Sequence, residues 1–329
     1  MPALRREQPR QPLLQSPMHS AFPPQIHVFV RDWLSANNVV LRSRDGHVLI
    51  DTGYVRHVPL TLALLATPRG VGDEPLARIV NTHCHSDHVG GNAAVAASYG
   101  CPIAVPEGEW AAIERWDSKA LLFDYAGQSV DRFRADVSLR AGTTQVWGDL
   151  EWQALAAPGH DMGALVFYNP EHRILISGDA LWQHGFGFVM PPGIDPAALP
   201  ATRATIGMLA GLDIRVVIPG HGEPFTDVGA ALDRAMRRVA AFEEDPQRMA
   251  RHAVKVLFTF ALLDRQRMRR SDVDGYLQSV EIYRDFNDRF FRLPPAAFAD
   301  WLLAGLVQSR AVAIDGDDVV PFGSEATAG

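Results

Sequence analysis

The chain has 329 residues, of which 47% are hydrophobic and 21% are charged, and its formal net charge is −7. A chain of this length can bury a large core, in about two domains, without disulfides or structural metals. The acidic balance excludes a globally basic nucleic-acid-binding protein, and no apolar run of about 18 residues is present that could span a membrane. The two cysteines are too few for a disulfide framework, which favours a reducing compartment.

The first 24 residues are rich in Pro, Gln and Arg. They contain no apolar stretch of about 7–15 residues, so they lack the pattern of a secretory signal. We interpret residues 1–24 as a flexible tail and expect the protein to be cytoplasmic.

Short apolar runs separated by Gly, Pro, Asp and Asn extend over residues 25–227. This texture predicts an α/β domain in which strands and helices form layers. The first predicted elements are a β-hairpin of residues 39–41 and 48–50, joined by the turn signal Asp45-Gly46, and helices at 61–66 and 93–98.

Four of the apolar runs end in the same way, at a Gly, Pro or polar turn that presents His or Asp. They are residues 77–80 before the segment 83–88, 154–157 before His160, 174–176 before Asp179, and 216–218 before His221. Strand ends of one sheet lie side by side, and loops on a rigid sheet are where functional sites are usually built. We therefore expect the four endings to converge on one point.

The converging side chains are all imidazoles or carboxylates: His83, His85, Asp87, His88, His160, Asp179 and His221. Such groups suit Zn²⁺, with Fe²⁺ or Mn²⁺ as alternatives. Seven ligands are too many for one tetrahedral ion but suit two ions about 3.5–4 Å apart with one Asp bridging. On a turn, His83 and His85 can reach one ion while Asp87 and His88 point at its neighbour.

The motif His-Cys-His-Ser-Asp-His, followed by His160, Asp179 and His221, resembles the metallo-β-lactamase superfamily over residues of about 26 to 226. The resemblance implies a four-layer αββα sandwich with the metals at one edge of the paired sheets. It assigns the first metal to His83, His85 and His160. It assigns the second metal to Asp87, His88 and His221, with Asp179 bridging. Asp51, in the sequence Asp51-Thr52-Gly53, corresponds to a residue that orients the ligands.

The expected chemistry is the hydrolysis of an ester, thioester or lactone-type acyl bond in a small molecule. Two zinc ions lower the pKa of a shared water, and the resulting hydroxide attacks the acyl carbon. Asp87 and Asp179 are the predicted catalytic residues. Asp179 holds both ions, and Asp87 is also expected to carry a proton to the leaving group.

The segment after Asp179 borders the substrate in proteins of this superfamily. Trp182, Phe186 and Phe188 would form an apolar wall there, and His184 could donate a hydrogen bond to a substrate carbonyl. Tyr54, after the Asp-Thr-Gly turn, is a further candidate for the lining. Acyl-homoserine-lactone lactonases carry Tyr three residues after the bridging Asp, where this chain has Trp182, and this disfavours a lactonase.

Residues 228–329 have apolar positions at helical spacing followed by a hairpin pattern. We expect a small helical, winged-helix-like domain that covers the rim of the active site. Its four arginines between residues 265 and 270 are interpreted as a solvated face, so no nucleic-acid partner is expected. The oligomeric state stays open, with a homodimer among the alternatives.

Three alternative functions remain at this point. Parts of the motif segments are similar to those of persulfide dioxygenases, which bind a single iron ion. The C-terminal region could instead belong to a nucleic-acid-processing or nucleic-acid-binding protein. A β-lactamase is the third alternative, disfavoured because no signal for export is readable.

Overall fold

The structure, a computed structural model, describes residues 22–323. Most of the predicted flexible tail, residues 1–24, therefore lies outside the described residues.

The first of two large sheets contains six strands that lie side by side in chain order. They are β1 (Ile26–Phe29), β2 (Asn38–Leu41), β3 (His47–Ile50), β4 (Leu76–Val80), β5 (Ile103–Pro106) and β6 (Val137–Leu139). The predicted hairpin is confirmed as β2 and β3, which pair antiparallel with Val39 opposite Ile50. From β3 to β6 the neighbouring strands run parallel.

The second sheet has five strands in the order β11-β10-β9-β8-β7. They are β7 (Thr144–Trp147), β8 (Leu150–Ala156), β9 (Leu165–Asn169), β10 (Ile174–Gly178) and β11 (Val216–Pro219). Only β10 and β11 pair in parallel, and the other pairs are antiparallel.

Helices cover the outer faces of both sheets. Those between the strands are α1 (Val58–Leu65), α2 (Ser86–Val89), α3 (Asn92–Tyr99), α4 (Glu107–Arg115), α5 (Phe123–Ala126) and α6 (Ala198–Ala210). The helices predicted at 61–66 and 93–98 are confirmed as α1 and α3. The first of these begins earlier than predicted, with Pro59 in its first turn, where the missing N–H would have no partner in any case.

The layers follow from the period-two alternation of side chains along each strand. In β3, Val48 and Ile50 pack between the two sheets, against residues such as Phe167 of β9. The intervening Leu49 packs on the opposite face, under the helices that include α1. The fold is thus a four-layer αββα sandwich whose central core lies between the sheets.

The C-terminal region is helical, as predicted, and carries a small sheet. Its elements are α7 (Val228–Glu244), α8 (Pro246–Arg265), β12 (Met268–Arg269), α9 (Val273–Ser279), α10 (Glu281–Phe286), the π-helical turn Asn287–Phe291, α11 (Pro295–Gln308), β13 (Val312–Asp315) and β14 (Asp318–Pro321). The three strands form an antiparallel sheet in the order β12-β14-β13.

These helices are divided between two hydrophobic cores. The buried face of α7, which includes Val239 and Phe242, packs in the same cluster as α6 and the outer face of the second sheet. Most of α8 packs instead with α9, α10 and α11 in a separate cluster. Hence α7 is the outer layer of the sandwich, although its sequence texture resembles the helices that follow.

Arginines at the end of α8 and just after it interact with other side chains of the same chain. Arg265 lies over the ring of Tyr276 at 4.6 Å, and Arg267 is paired with both Asp315 and Asp318. Among residues 22–323, no single helix is long and apolar enough to cross a membrane. One bent pair of helices reaches the required length only when both are counted together.

Candidate metal centre

The structure brings the seven predicted His and Asp ligands together at one edge of the sandwich. His83, His85, Asp87 and His88 lie in the loop and short helix α2 after β4, which belongs to the first sheet. The other three follow β8, β10 and β11, which belong to the second sheet. The expectation that all four endings come from one sheet is therefore wrong. The two sheets pack face to face, so loops from both can meet along a shared edge.

Within this edge the side chains form two groups of ligand atoms. His83, His85 and His160 each offer one atom, and these atoms lie within 4.8 Å of one another. Asp87, His88, Asp179 and His221 form the second such group. Three or four nitrogen and oxygen ligands at this spacing are what a transition-metal ion takes in a protein.

Asp179 lies between the two groups. Its Oδ2 is 3.3 Å from His160 Nε2 in the first group. Its Oδ1 is 3.4 Å from His88 Nε2 in the second. One carboxylate thus faces both groups, which is the geometry that a bridging ligand requires.

The nitrogen atoms of the first group fit a cation better than they fit one another. His83 is 1% exposed, and its Nε2 is buried with no hydrogen-bond partner among residues 22–323. His85 Nδ1 and His160 Nε2 face each other at 2.7 Å. The Nδ1 of His160 donates to the carbonyl oxygen of Phe188, which leaves Nε2 as the free lone pair. Burying His83 Nε2 without a partner is costly, and a metal ion bound between the three imidazoles would satisfy it.

Asp51 supports the ligands from below. Its carboxylate accepts hydrogen bonds from His88 Nδ1 at 2.7 Å and from the N–H and Oγ1 of Thr82 at 2.9 and 2.8 Å. Hence Nε2 of His88 is turned toward the ligand group, the arrangement by which a carboxylate fixes a metal-binding imidazole. The orienting role of Asp51 stays a prediction, and these are the contacts through which it would act.

The electrostatics of the site set the two groups apart. Burial, together with the neighbouring imidazoles of His88, His85 and His160, holds the pKa of His83 well below its usual value. Burial also opposes the charge on His88, but the carboxylates of Asp51, Asp179 and Asp87 outweigh it and raise its pKa. The pKa of Asp179 lies well below its usual value because His221 and His88 outweigh its burial. His83 is therefore held as a neutral imidazole, while the carboxylates lie in the second group.

Two glycines allow the backbone to approach the ligands. A Cβ at Gly187 would lie 2.7 Å from His160 Nδ1 and 2.9 Å from Asp179 Cβ. A Cβ at Gly220 would lie 2.3 Å from Asp179 Oδ1. Any side chain at either position would displace a ligand.

A cavity opens over the centre, and its wall beyond the ligands is mostly apolar. The residues that line it besides the ligands are Trp33, Leu122, Ala126, Gln128, Trp182, Phe188, Val256, Leu257, Phe260 and Ile282. Two of the five predicted lining residues, Trp182 and Phe188, are among them. Trp182 also donates its indole N–H to Asp179 Oδ1 at 3.2 Å, so this side chain both forms the wall and positions a ligand.

The other three predicted lining residues lie elsewhere. Tyr54 is fully buried, and its hydroxyl donates to Asp264 Oδ2 at 3.1 Å. Phe186 is 3% exposed and packs in the core beside Phe242. His184 is exposed and lies outside the lining, with its carbonyl oxygen accepting from Arg238.

Several lining residues have no signal in the sequence. The ring of Trp33 stacks on that of His221 at 4.7 Å with an angle of 9° between the planes. Gln128 comes from the segment after α5, and Phe260 comes from α8. These positions belong to no motif, and only long-range packing places them at the site.

The comparisons with known proteins agree with this geometry. The sequence profile of the metallo-beta-lactamase superfamily matches residues 31–221, which is more than half of the chain. The chain therefore belongs to this superfamily. A metallo-beta-lactamase family protein of Thermus thermophilus has the same fold, with a TM-score of 0.52 at 20% identity over 91% of this chain and 99% of that chain.

Two relatives carry named hydrolase activities. A hydroxyacylglutathione hydrolase of Bdellovibrio bacteriovorus is 30% identical over 112 residues, which are 34% of this chain and 37% of that protein. The acyl-coenzyme A thioesterase MBLAC2 of Gallus gallus is 28% identical over 210 residues, which are 58% of this chain and 73% of that protein. The match thus spans little more than a third of the hydroxyacylglutathione hydrolase. Both of these relatives are named as hydrolases.

Proposed function

We propose that this protein is a dinuclear zinc hydrolase that cleaves the acyl bond of a small thioester or ester. The observation that carries the proposal is the pair of ligand groups facing one carboxylate, Asp179, beneath an apolar cavity. Two relatives are named for thioester hydrolysis, which favours a thioester among the acyl bonds.

The ligand set would hold one zinc ion on His83, His85 and His160 and a second on Asp87, His88 and His221, with Asp179 shared. Bound there, the zinc ions would supply a water of near-neutral pKa as nucleophile and a Lewis acid for the acyl carbonyl. The chain needs no Ser or Cys nucleophile. Cys84, between two ligands in the sequence, is fully buried in the core under the first sheet.

Asp87 is the side chain best placed to move a proton. It lines the cavity, and its Oδ2 accepts from His221 Nε2 at 3.0 Å. Burial opposes its ionisation, but His88 and His221 outweigh this and hold its pKa below the usual value. It is therefore a carboxylate at neutral pH, able to accept a proton from water and to pass it to the departing thiol or alcohol.

The cavity wall favours an apolar acyl group. Leu257 and Phe260 of α8 and Ile282 of α10 face the centre together with Trp182 and Phe188. No Lys or Arg side chain is among the residues that line the cavity within the described chain. A charged phosphodiester would find no cation in this wall, whereas an apolar acyl chain gains from leaving water.

The test is metal analysis followed by a substrate panel. Purified protein should contain about two zinc ions per chain and should hydrolyse apolar acyl thioesters or p-nitrophenyl esters faster than bis-p-nitrophenyl phosphate or a β-lactam. Asp179→Ala should lose both metal and turnover, while Asp213→Ala, at an exposed carboxylate paired with Arg173, should keep them.

Two results would contradict the proposal. A single iron ion per chain with oxygen consumption on a persulfide would indicate the dioxygenase alternative. Phosphodiester cleavage faster than acyl hydrolysis would indicate a nuclease-type enzyme. The cytoplasmic location stays a prediction from the sequence, and the oligomeric state stays open, with a homodimer among the alternatives.

A further inference from the structure

Gln128 is held firmly at the edge of the cavity. It follows α5 through Gly127, whose φ of +66° turns the chain. Its backbone N–H donates to the carbonyl oxygen of Phe123 at 2.8 Å. The next residue, Ser129, donates its backbone N–H to the buried hydroxyl of Tyr54 at 3.3 Å. The backbone on both sides of the side chain is thus anchored.

The side-chain amide of Gln128 is oriented by the metal-binding motif itself. Ser86 is fully buried between His85 and Asp87, and its hydroxyl donates to Gln128 Oε1 at 2.6 Å. The carbonyl end of the amide is therefore occupied. Its NH₂ group, with two donors, has no hydrogen-bond partner within residues 22–323, although Gln128 lines the cavity.

Most of the other polar groups of the lining already have partners or belong to the ligand cluster. His85, Asp87, His160, Asp179 and His221 belong to the ligand cluster, and the indole N–H of Trp182 donates to Asp179. The Trp182 side chain also has no hydroxyl with which to polarise a carbonyl. Among the described lining residues, the neutral donors left for a substrate are the amide of Gln128 and the indole N–H of Trp33, and of these two Gln128 is the one oriented by a hydrogen bond from the metal-binding motif.

We propose that the amide NH₂ of Gln128 binds the acyl carbonyl oxygen of the substrate and holds it against the centre during hydrolysis. The inference rests on the proposed function and deepens it. The carbonyl oxygen becomes more negative as the tetrahedral state forms, so a prepositioned donor binds it more tightly there than in the ground state. Ser86 acts through Gln128 and is a positioning residue.

Kinetics test the proposal first. Gln128→Ala should lower kcat/KM by about 10²-fold, through a rise of about tenfold in KM and a fall of about tenfold in kcat, because the donor binds the carbonyl oxygen in the ground state and more tightly in the transition state. Gln128→Glu keeps the size of the side chain and the acceptor for Ser86 but has no N–H. Its kcat/KM should therefore fall at least as far as that of Gln128→Ala. Gln183→Ala, an exposed glutamine on the loop after Asp179, should behave as wild type. Zinc content should be equal in all four proteins.

Binding of two inert ligands separates carbonyl recognition from simple wall packing. The first is a ketone in which CH₂ replaces the thioester sulfur, and the second is the same molecule with the carbonyl reduced to CH₂. By calorimetry, Gln128→Ala should bind the ketone about tenfold more weakly and the hydrocarbon within about twofold of wild type. Equal weakening of both ligands, no weakening of either, or failure of the wild type to bind the ketone would overturn the inference.

The two proposals can fail separately. If the wild type hydrolyses thioesters and Gln128→Ala does so at the same kcat/KM, the role of Gln128 is wrong and the proposed function stands. If the wild type hydrolyses no acyl substrate yet binds the ketone in a Gln128-dependent way, carbonyl recognition stands and the proposed function is wrong.

Discussion

At the scale of one residue, Asp51 has a strained backbone conformation that allows its carboxylate to form hydrogen bonds at the candidate metal centre. It has a φ of +56°, a left-handed conformation that costs energy for a residue with a side chain. In that conformation its carboxylate reaches Thr82, His88 and the amide of Asn81 together. The strain is thus offset by contacts that orient His88.

Asp51→Asn should keep the fold and weaken metal binding. The amide is nearly the same size, but it has one acceptor oxygen in place of two and no charge to hold the His88 Nδ1–H. We expect a loss of about 10–100-fold in zinc affinity, measured by competition with a chelator of known affinity. Asp32→Asn, at an exposed carboxylate, is the control. Unchanged affinity in Asp51→Asn would show that Asp51 does not orient the ligand.

Glu109 is a buried acid that is separated from the ligand His85 by Asp161. It lies in α4 at 8% exposure beside Asp161, whose Oδ2 is 3.5 Å from His85 Nε2. Burial, followed by the charge of Asp161 and a hydrogen bond to it, raises the pKa of Glu109 to about 9. The folded protein therefore keeps Glu109 protonated at neutral pH, whereas the unfolded chain ionises it.

This raised pKa gives stability a definite pH dependence. The contribution of protonated Glu109 is complete below its unfolded pKa of 4.5 and is lost as the pH rises toward about 9. Over pH 5 to 8 the free energy of unfolding should fall in the wild type relative to Glu109→Gln by up to about 1.4 kcal/mol per pH unit. Urea denaturation at several pH values measures this, with Glu114→Gln on the exposed side of α4 as control. Parallel profiles for wild type and Glu109→Gln would refute it.

At the scale of elements, α8 supplies part of the apolar cavity wall that the αββα sandwich does not provide. Its buried face packs in the C-terminal core, while Val256, Leu257 and Phe260 turn toward the metal centre. The ring of Phe260 also meets Tyr54 edge to face at 5.4 Å. One helix thus joins the C-terminal core to the substrate cavity.

Phe260→Ala should weaken the binding of apolar acyl substrates. The ring is part of the apolar wall of the cavity, so its loss should raise KM by about tenfold while kcat changes much less, since a wall binds ground and transition states alike. Steady-state kinetics over acyl chains of increasing length measure this. Arg248→Ala on the exposed side of α8 is the matched control. A fall in kcat at constant KM would instead assign Phe260 to the chemistry.

At the scale of the whole molecule, we use the hydrophobic core in which each helix packs to decide which domain the helix belongs to. The sequence places the boundary at residues 227 and 228, where the texture becomes helical. The five buried side chains of α7, however, belong to the core of the second sheet: Val228, Ala231, Ala235, Val239 and Phe242. We therefore propose that the catalytic unit extends through α7 to about Asp245.

Two truncations distinguish these boundaries. A chain ending at Asp245 keeps both outer layers and should stay soluble with about two zinc ions, although its cavity loses the wall from α8. A chain ending at residue 227 exposes the face that α7 covers. Burial of each large side chain there is worth about 1.5–3 kcal/mol, against a total stability of about 5–15 kcal/mol, so this chain should aggregate. Soluble yield and zinc content are the measurements, and equal behaviour of the two chains would contradict the proposed boundary.

The ligands of the candidate metal centre could be predicted because each of them lies in a short sequence pattern that is recognisable by itself. Each segment that contributes to the centre combines a buried strand with the residue types that the chemistry needs. These segments are the run from His83 to His88, the strand endings before His160, Asp179 and His221, and the turn at Asp51. Each strand is recognisable from its own apolar run. The hairpin and the longer helices could be predicted for the same reason, since their periodicities arise within a few residues.

The cavity wall was decided by tertiary structure. Trp33, Gln128 and Phe260 come from three distant segments, and only the packing of the sandwich and α8 brings them to one centre. Phe186 and Phe188 both flank Gly187, and yet Phe186 packs in the core beside Phe242 while Phe188 lines the cavity. By itself the sequence determined which atoms can hold metal. Long-range packing decided which surface faces them, because which apolar side chains share a core depends on the whole fold.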